Sequence, residues 1–235
     1  LDAALNANFA NVESGITLNV DWSGTGTYTG NLTNVDALTI SSGTMTVTDD
    51  ILGTVPTSGA GNIVVQVDTS SSQSFSNLSL TGTETIQFTG NSTFTGDFAN
   101  SKIVVNSGVT LTTNFATTLN GKVNVLSGAG NVTLTDINVD ASNVDAVAAK
   151  ISGILTATIT TGAVLTTLNA ITNVNVSDVI TFTTTDTIAD ASDIVDLKVK
   201  VDNFNVDTIT TITENAATIG TNAATITSAL AITGG

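Results

Sequence analysis

The chain lacks cysteine, histidine and arginine, and it has one proline, one tryptophan and one tyrosine. Without histidine or cysteine there is no imidazole base, no thiol nucleophile and no Cys/His zinc site, which excludes the Ser-His-Asp and Cys-His types of catalysis. Without arginine there is no bidentate clamp for a carboxylate or a phosphate. The absence of cysteine also excludes a disulfide framework. These absences predict a protein that is not an enzyme.

Charge is scarce and mostly of one sign. Charged residues make up 11% of the chain, and five lysines stand against 20 acidic residues, for a net charge of −15. Binding to nucleic acid needs Lys and Arg to neutralise phosphates, so this balance excludes it. It also disfavours adhesion to anionic lipid. No apolar run approaches the roughly 20 residues of a membrane span.

What the chain has in abundance is threonine, valine, isoleucine and asparagine in alternating order. Between residues 17 and 140, runs such as TMTVTDD, NIVVQVD and KIVVNSG alternate apolar and polar positions and are separated by Gly, Ser, Asn and Asp. This alternation predicts half-buried strands with turns between them. The segments 78–100, 101–121 and 122–140 align with one another, each with a strand, a Gly-bearing turn and a second strand. We therefore expect a mainly β fold, an elongated β-solenoid or repetitive β shaft. An antiparallel sandwich is the alternative.

Helices are predicted at both ends of this shaft. Leu5, Phe9, Val12 and Ile16 fall on one helical face, so residues 1–16 are predicted to form a short helix. Residues 141–208 mix strands with short helical patterns, the first beginning near Ser142. The predicted organisation is an N-terminal helix (1–16), a repetitive β shaft (17–140), mixed β and short-helix repeats (141–208), and a heptad stalk (209–235).

The heptad is the most regular pattern in the chain. Isoleucine recurs every seven residues at Ile212, Ile219 and Ile226, with Asn215 and Asn222 three residues after an isoleucine. Thr, Asn and Gly form poor isolated helices, so such a repeat predicts a coiled-coil seam shared between chains. These five residues are the predicted oligomerisation site, and a homotrimer is expected. Two short strands joined at Gly220–Asn222 are the alternative.

The I-x-x-N heptad resembles the trimeric coiled-coil stalks of phage tail fibres and of trimeric autotransporter adhesins. The N-terminal stretch with Asn6, Asn8, Phe9, Val12 and Glu13 resembles an N-x-N-F segment near the start of phage tail-fibre modules. The Thr/Asn-rich composition also resembles bacterial surface β-solenoid adhesins. The resemblance implies a trimeric fibre whose asparagines face a three-fold axis.

Two sets of acidic residues are candidates for chemistry. Asp49, Asp50 and Glu84 are the strand-adjacent carboxylates that could act in pairs on a glycan, with Trp22 and Tyr28 as the scarce aromatic platforms. Solvated turns are the alternative for these acids. Asp186, Asp190, Asp193 and Asp196 could hold Ca²⁺ through carboxylate oxygens, and a solvated face is the alternative. No other cofactor is expected.

These patterns predict a structural fibre subunit of a virion, such as a phage tail fibre, that acts in host attachment. Its partners would be copies of itself, as a trimer or a self-assembling filament, together with a glycan or protein of the host surface. The alternative is a secreted protein of the bacterial cell surface: an adhesin, an S-layer or sheath component, or an extracellular filament subunit. A glycan-degrading spike ranks last.

Overall fold

The computed structural model describes residue 9 and residues 16–159, 164–168, 171–198, 200–201, 203–205, 209–213, 217–218 and 220–224. The chain divides into two compact units. Unit 1 comprises Leu1–Thr113 and Thr117–Gly130, and unit 2 comprises Asn114–Ala116 and Asn131–Gly235.

The described elements are short strands with a few short helices between them. The strands are β1 (Asn19–Trp22), β2 (Thr25–Thr27), β3 (Ala37–Ile40), β4 (Thr44–Thr48), β5 (Thr57–Gly59), β6 (Asn62–Val67), β7 (Leu78–Leu80), β8 (Glu84–Phe88), β9 (Ser92–Phe94), β10 (Lys102–Val105), β11 (Thr110–Thr113), β12 (Leu126–Gly128), β13 (Asn131–Leu134), β14 (Leu155–Thr158), β15 (Val179–Thr183), β16 (Ile188–Asp190), β17 (Asn203–Asn205) and β18 (Thr211–Thr213). The helices are α1 (Asp49–Leu52), a π-helix (Phe115–Leu119), a 3₁₀-helix (Val123–Val125), α2 (Ala141–Ala148), α3 (Leu165–Leu168) and α4 (Ala191–Lys198).

In unit 1 the chain alternates between sheets as it advances. A four-stranded sheet has the order β1-β3-β5-β7, a six-stranded sheet has the order β12-β10-β8-β6-β4-β2, and β9 pairs with β11. Each of these pairs is parallel. The chain therefore passes through another element before it returns to the same sheet, as parallel pairing requires.

Alternating side chains of the six-stranded sheet build the core of unit 1. One inward row runs across five neighbouring strands, in the order Val47, Val65, Ile86, Ile103 and Leu126. The first four of these side chains are 0% exposed and Leu126 is 2% exposed. Burial of each such side chain contributes about 1.5–3 kcal/mol, and here a single chain supplies all of it.

Most of the aromatic residues described in unit 1 also lie in the core. Phe94 stacks on Phe98 at a ring-centroid distance of 4.4 Å and on Phe75 at 5.9 Å, and Phe88 meets it edge-on at 5.7 Å. All four rings are 0% exposed. These contacts add to the burial of the rings and fix how they pack.

Unit 2 combines parallel strands with helices. Strands β13, β14, β15 and β17 lie side by side in parallel, and β16 pairs in parallel with β18. Helix α2 buries Ala141, Val144, Val147 and Ala148, which share one face at helical spacing. Helix α4 buries Ala191, Ile194 and Leu197 in the same way.

The predicted fold class was wrong. The described residues form parallel sheets with helices between the strands, an α/β arrangement, and not an elongated β-solenoid or uniform β shaft. The parallel pairing also contradicts the antiparallel sandwich. The physical reason is that alternation identifies which residues alternate between two faces, but it does not determine how strands are connected or where helices interrupt them.

One described residue of each terminal helical prediction, Phe9 and Ile212, is not helical, whereas residues 217–218 and 220–224 of the predicted heptad are helical. Phe9 is not helical, and its backbone N–H donates to the Asn31 carbonyl at 3.2 Å. The other residues of the predicted 1–16 helix, except Ile16, lie outside the described residues. Ile212, the first residue of the predicted coiled coil, lies in strand β18 and pairs with Ala189. Its β-branched neighbours Thr211 and Thr213 favour that extended backbone.

Candidate functional site

The first candidate is the acidic corner, formed by Asp49, Asp50, Asp68 and Ser71. Asp49 and Asp50 follow β4 directly and open helix α1, while Asp68 follows β6. Because β4 and β6 are parallel, with Thr48 opposite Gln66, their carboxyl ends reach the same edge of the sheet. The corner therefore brings acids from two strands together.

Asp49 is the acid with the most unusual environment. Its side chain is 8% exposed. Burial raises the pKa of Asp49, a hydrogen bond with the Ser71 side chain lowers it, and the charges of Asp50 and Asp68 raise it further. The net effect is a raised pKa, since desolvation and like charges both disfavour the carboxylate. A carboxyl of this kind can hold a proton at a higher pH than an exposed one.

The predicted partner Glu84 is not part of this corner. Glu84 begins β8 and accepts a hydrogen bond from the Leu80 N–H at 2.7 Å, whereas Asp68 lies beyond the opposite end of the neighbouring strand. Glu84 lies opposite Ile63, five residue steps before Asp68, so about 16 Å of strand separates the two positions. Glycosidase carboxyl groups lie about 5–9.5 Å apart, so Glu84 does not pair with the corner acids in that way.

The predicted sugar platforms are also unsuited to that role. Trp22 and Tyr28 are each 1% exposed and meet edge-on at 6.3 Å. The indole N–H donates to the Gly24 carbonyl at 3.1 Å, and the phenol donates to the Asn31 carbonyl at 3.2 Å. Both rings belong to the core of unit 1 and present no face to a ligand.

The second candidate is the acidic groove of unit 2, a cavity of about 380 Å³. Its lining residues are Val164, Leu165, Thr166, Asp186, Ile188, Ala189, Asp190, Asp193 and Thr213. It thus holds three of the four predicted Ca²⁺ ligands. The fourth, Asp196, is exposed on α4 and does not line the groove.

The groove carboxylates bind the protein itself. Asp186 accepts from the Leu165 N–H at 2.6 Å and from the Thr184 hydroxyl at 3.2 Å. Asp190 accepts from the Thr213 hydroxyl at 2.7 Å. Among the residues that the structure describes, no three His, Cys, Asp or Glu side chains are grouped so that they could hold a metal ion. Ca²⁺ binding stays a prediction that the described geometry does not strengthen.

The predicted oligomerisation residues are only partly described. Ile212 is half-buried in β18, and Asn222 lies in the helical stretch 220–224. Asn215, Ile219 and Ile226 lie outside the described residues.

A set of aspartates that the sequence did not single out joins neighbouring strands. Asp36 accepts from the Leu18 N–H at 2.7 Å, and Asp178 accepts from the Leu155 N–H at 2.7 Å. The donors lie 18 and 23 residues earlier in the chain. Asp36 and Asp178 directly precede β3 and β15, and an Asp before a strand is the signal that could have identified them.

Asparagines make the converse bond. The side-chain oxygens of Asn62, Asn91 and Asn131 accept from the N–H groups of Thr83, Thr110 and Ile154, at 2.7, 2.8 and 2.8 Å. Each donor lies 19–23 residues later. We call these aspartate and asparagine bonds the strand-start bonds. They satisfy backbone donors where strands begin, which accounts for part of the Asn and Asp content.

No described helix has the length and apolar character needed to cross a membrane. No protein-family model, curated protein or solved structure matches this chain.

Proposed function

We propose that this chain is a structural, non-enzymatic component of a bacterial cell surface, such as an adhesin, sheath, S-layer or extracellular filament subunit. The observation that carries the proposal is the inward row from Val47 to Leu126, which one chain buries almost completely. A core that needs no partner chain supports a self-contained building block.

The strand-start bonds support a mechanical role. The parallel strands are held to their neighbours by the backbone ladder, and several are also held at their start by a side-chain acceptor such as Asn62 or Asp178. Networks of satisfied hydrogen bonds rigidify a fold. Threonine and asparagine on the outward positions keep such a block wettable without many charges.

The positions of the candidate catalytic residues support a non-enzymatic role. Asp49 follows the carboxyl end of β4, whereas Glu84 begins β8, and β6 lies between these two strands. Trp22 and Tyr28 are buried. Two of the three groove acids, Asp186 and Asp190, accept hydrogen bonds from the protein.

A virion fibre that attaches to a host is the second candidate. It is favoured by the I-x-x-N heptad and by the helical backbone of its residue Asn222. Under this proposal three chains associate through the C-terminal heptad.

Immunogold electron microscopy of the organism that makes the protein tests the proposal, with antibodies raised against the full chain and pre-immune serum as the control. We expect gold on the outer cell surface or on extracellular material. Gold on virus particles would favour the second candidate, and gold confined to the cell interior would contradict both.

A further inference from the structure

We infer that the Asn-Gly turn, Asn120–Gly121, is a site of spontaneous covalent modification at which the Asn120 carboxamide is converted to a carboxylate. It is the single Asn-Gly dipeptide of the chain. The turn lies between the π-helix Phe115–Leu119 and the 3₁₀-helix Val123–Val125, and both of its residues are exposed. Glycine matters at the second position because it has no Cβ to obstruct an atom that approaches its backbone nitrogen.

The reaction needs water as its one co-reactant. The Gly121 backbone nitrogen attacks Cγ of Asn120, the bond between Cγ and Nδ2 breaks, and ammonia leaves with the proton of the attacking N–H. The product is a five-membered succinimide ring. Water then adds to one of the two ring carbonyls and opens the ring, which leaves an aspartate or an isoaspartate at position 120. No atom is oxidised or reduced.

The reacting groups of the Asn-Gly turn are accessible in the folded chain. Among the residues that the structure describes, none makes a hydrogen bond with the Asn120 carboxamide or with the Gly121 N–H. Gly121 has φ +76°, and no atom lies within 4 Å of the position that a Cβ would occupy. The turn can therefore react without first breaking a hydrogen bond or unfolding.

Two other asparagines that precede a small residue are protected by the fold. Ser101, which follows Asn100, is 0% exposed, and its N–H donates to a backbone carbonyl at 3.0 Å. Asn106, which precedes Ser107, accepts a hydrogen bond from the Gln87 side chain at 3.1 Å. At each of these sites one reacting group is already bonded, and the serine Cβ adds an obstruction that glycine lacks.

The modification changes the charge and the backbone of an exposed turn. It adds one negative charge to a chain whose net charge is −15. The isoaspartate form also adds one carbon to the backbone between Leu119 and Lys122, where the Lys122 N–H donates to the Leu119 carbonyl at 2.8 Å. We therefore expect more acidic forms of the chain to accumulate as the protein ages.

Peptide mass spectrometry of the full chain, kept folded in a mildly alkaline buffer at physiological temperature, tests this inference. The test variant is Gly121→Ala, and the matched control is Gly108→Ala. The two glycines have nearly the same φ, +76° and +77°, and neither has an atom within 4 Å of its Cβ position. Both variants therefore carry similar backbone strain, but only Gly121→Ala shields the nitrogen next to Asn120. Circular dichroism melts check that each variant is folded, and methylation by an isoaspartyl methyltransferase identifies the isoaspartate.

We expect Asn120 to lose ammonia at least about tenfold faster than Asn106, because glycine leaves the attacking nitrogen unshielded. Gly121→Ala should slow the loss at Asn120 about tenfold, and Gly108→Ala should change it less than about twofold. Unfolding in guanidinium chloride should accelerate the loss at Asn120 less than about tenfold, since the turn is already accessible. Equal rates at Asn120 and Asn106, an unchanged rate in Gly121→Ala, or an acceleration above about tenfold on unfolding would overturn the inference. The inference does not depend on the proposed function.

Discussion

Asp178 shows how one side chain can join two strands. It is 2% exposed, and its two carboxylate oxygens accept from the Leu155 N–H at 2.7 Å and from the N–H and side-chain amide of Asn175 at 2.9 and 3.1 Å. Hydrogen bonds to charged groups each contribute about 1.5–3 kcal/mol to stability. The carboxylate thus links the turn before β15 to the start of β14.

We expect Asp178→Ala to lower the free energy of unfolding by about 2–4 kcal/mol, because it leaves a buried backbone donor without its acceptor. Asp178→Asn keeps one oxygen and should lose less than half as much. Urea unfolding followed by circular dichroism measures both. Asp196→Ala, at an exposed position on α4, is the control and should stay within about 0.5 kcal/mol of wild type. An equally small loss for Asp178→Ala would show that the strand-start bonds do not stabilise the fold.

Asp49 makes stability depend on pH in a defined direction. Burial raises its folded-state pKa above the ordinary value of 3.8, so the folded chain binds the proton more tightly than the unfolded chain. Ionising Asp49 therefore lowers stability as the pH rises from 3.8 through the raised pKa, and the loss is complete above it.

Replacing Asp49 by asparagine removes this loss. We expect Asp49→Asn to have a higher urea midpoint than wild type at pH 7 and the same midpoint near pH 3, where the wild-type carboxyl is already neutral. Asp196→Asn makes the same change in net charge at an exposed position and serves as the control. The assignment fails if Asp49→Asn gains no more than Asp196→Asn at pH 7.

At the scale of elements, close packing between neighbouring strands depends on particular glycines. Gly43 has φ +74°, and a Cβ there would lie 2.0 Å from the Gly24 carbonyl oxygen. Gly108 has nearly the same φ, +77°, but no atom lies within 4 Å of its Cβ position. The two positions share the backbone strain and differ in the space available.

We expect Gly108→Ala to cost about 1 kcal/mol, the strain of a left-handed residue alone. Gly43→Ala should cost about 2–4 kcal/mol, because it also forces β2 and β4 apart. Thermal and urea unfolding of both variants provide the comparison. Equal costs would mean that the turn relaxes and that the close approach of these strands does not matter for stability.

Several strands could be predicted from the sequence because their own residues determine them. The runs TMTVTDD, NIVVQVD and KIVVNSG correspond to β4, β6 and β10, and the helical pattern near Ser142 corresponds to α2. In each case alternating or helical spacing places the apolar side chains on the buried face. The residue pattern within each of these elements is therefore enough to predict it.

Other elements could not be predicted because their partners define them. The Gly-bearing β2 and β5 have little alternation and become strands by pairing with β4 and with β3 and β7. The run KVNVLSG reads as one strand, but Val123–Val125 form a 3₁₀-helix and only Leu126–Gly128 pair with β10. Tertiary pairing can make a strand of a segment with little alternation, and a segment with clear alternation can stay outside the sheet.

The same distinction applies to the candidate sites. Asp49 and Asp50 could be recognised as strand-adjacent from the sequence, but the arrival of Asp68 beside them depends on the register of β4 and β6. The bond between Asp178 and Leu155 spans 23 residues and also depends on register. A pattern within one strand does not contain that information.

At the scale of the whole molecule, the expected homotrimer stays a prediction. The described core does not need it for burial, because Val47, Val65, Ile86 and Ile103 are each 0% exposed within one chain.

The central claim is that one chain completes its own core. Thermal unfolding at about 1 µM and about 50 µM, with sedimentation velocity at the same concentrations, tests it most directly. The account predicts a 23.7 kDa monomer whose Tm does not change with concentration. A species of about three times that mass, or a Tm that rises with concentration, would contradict it.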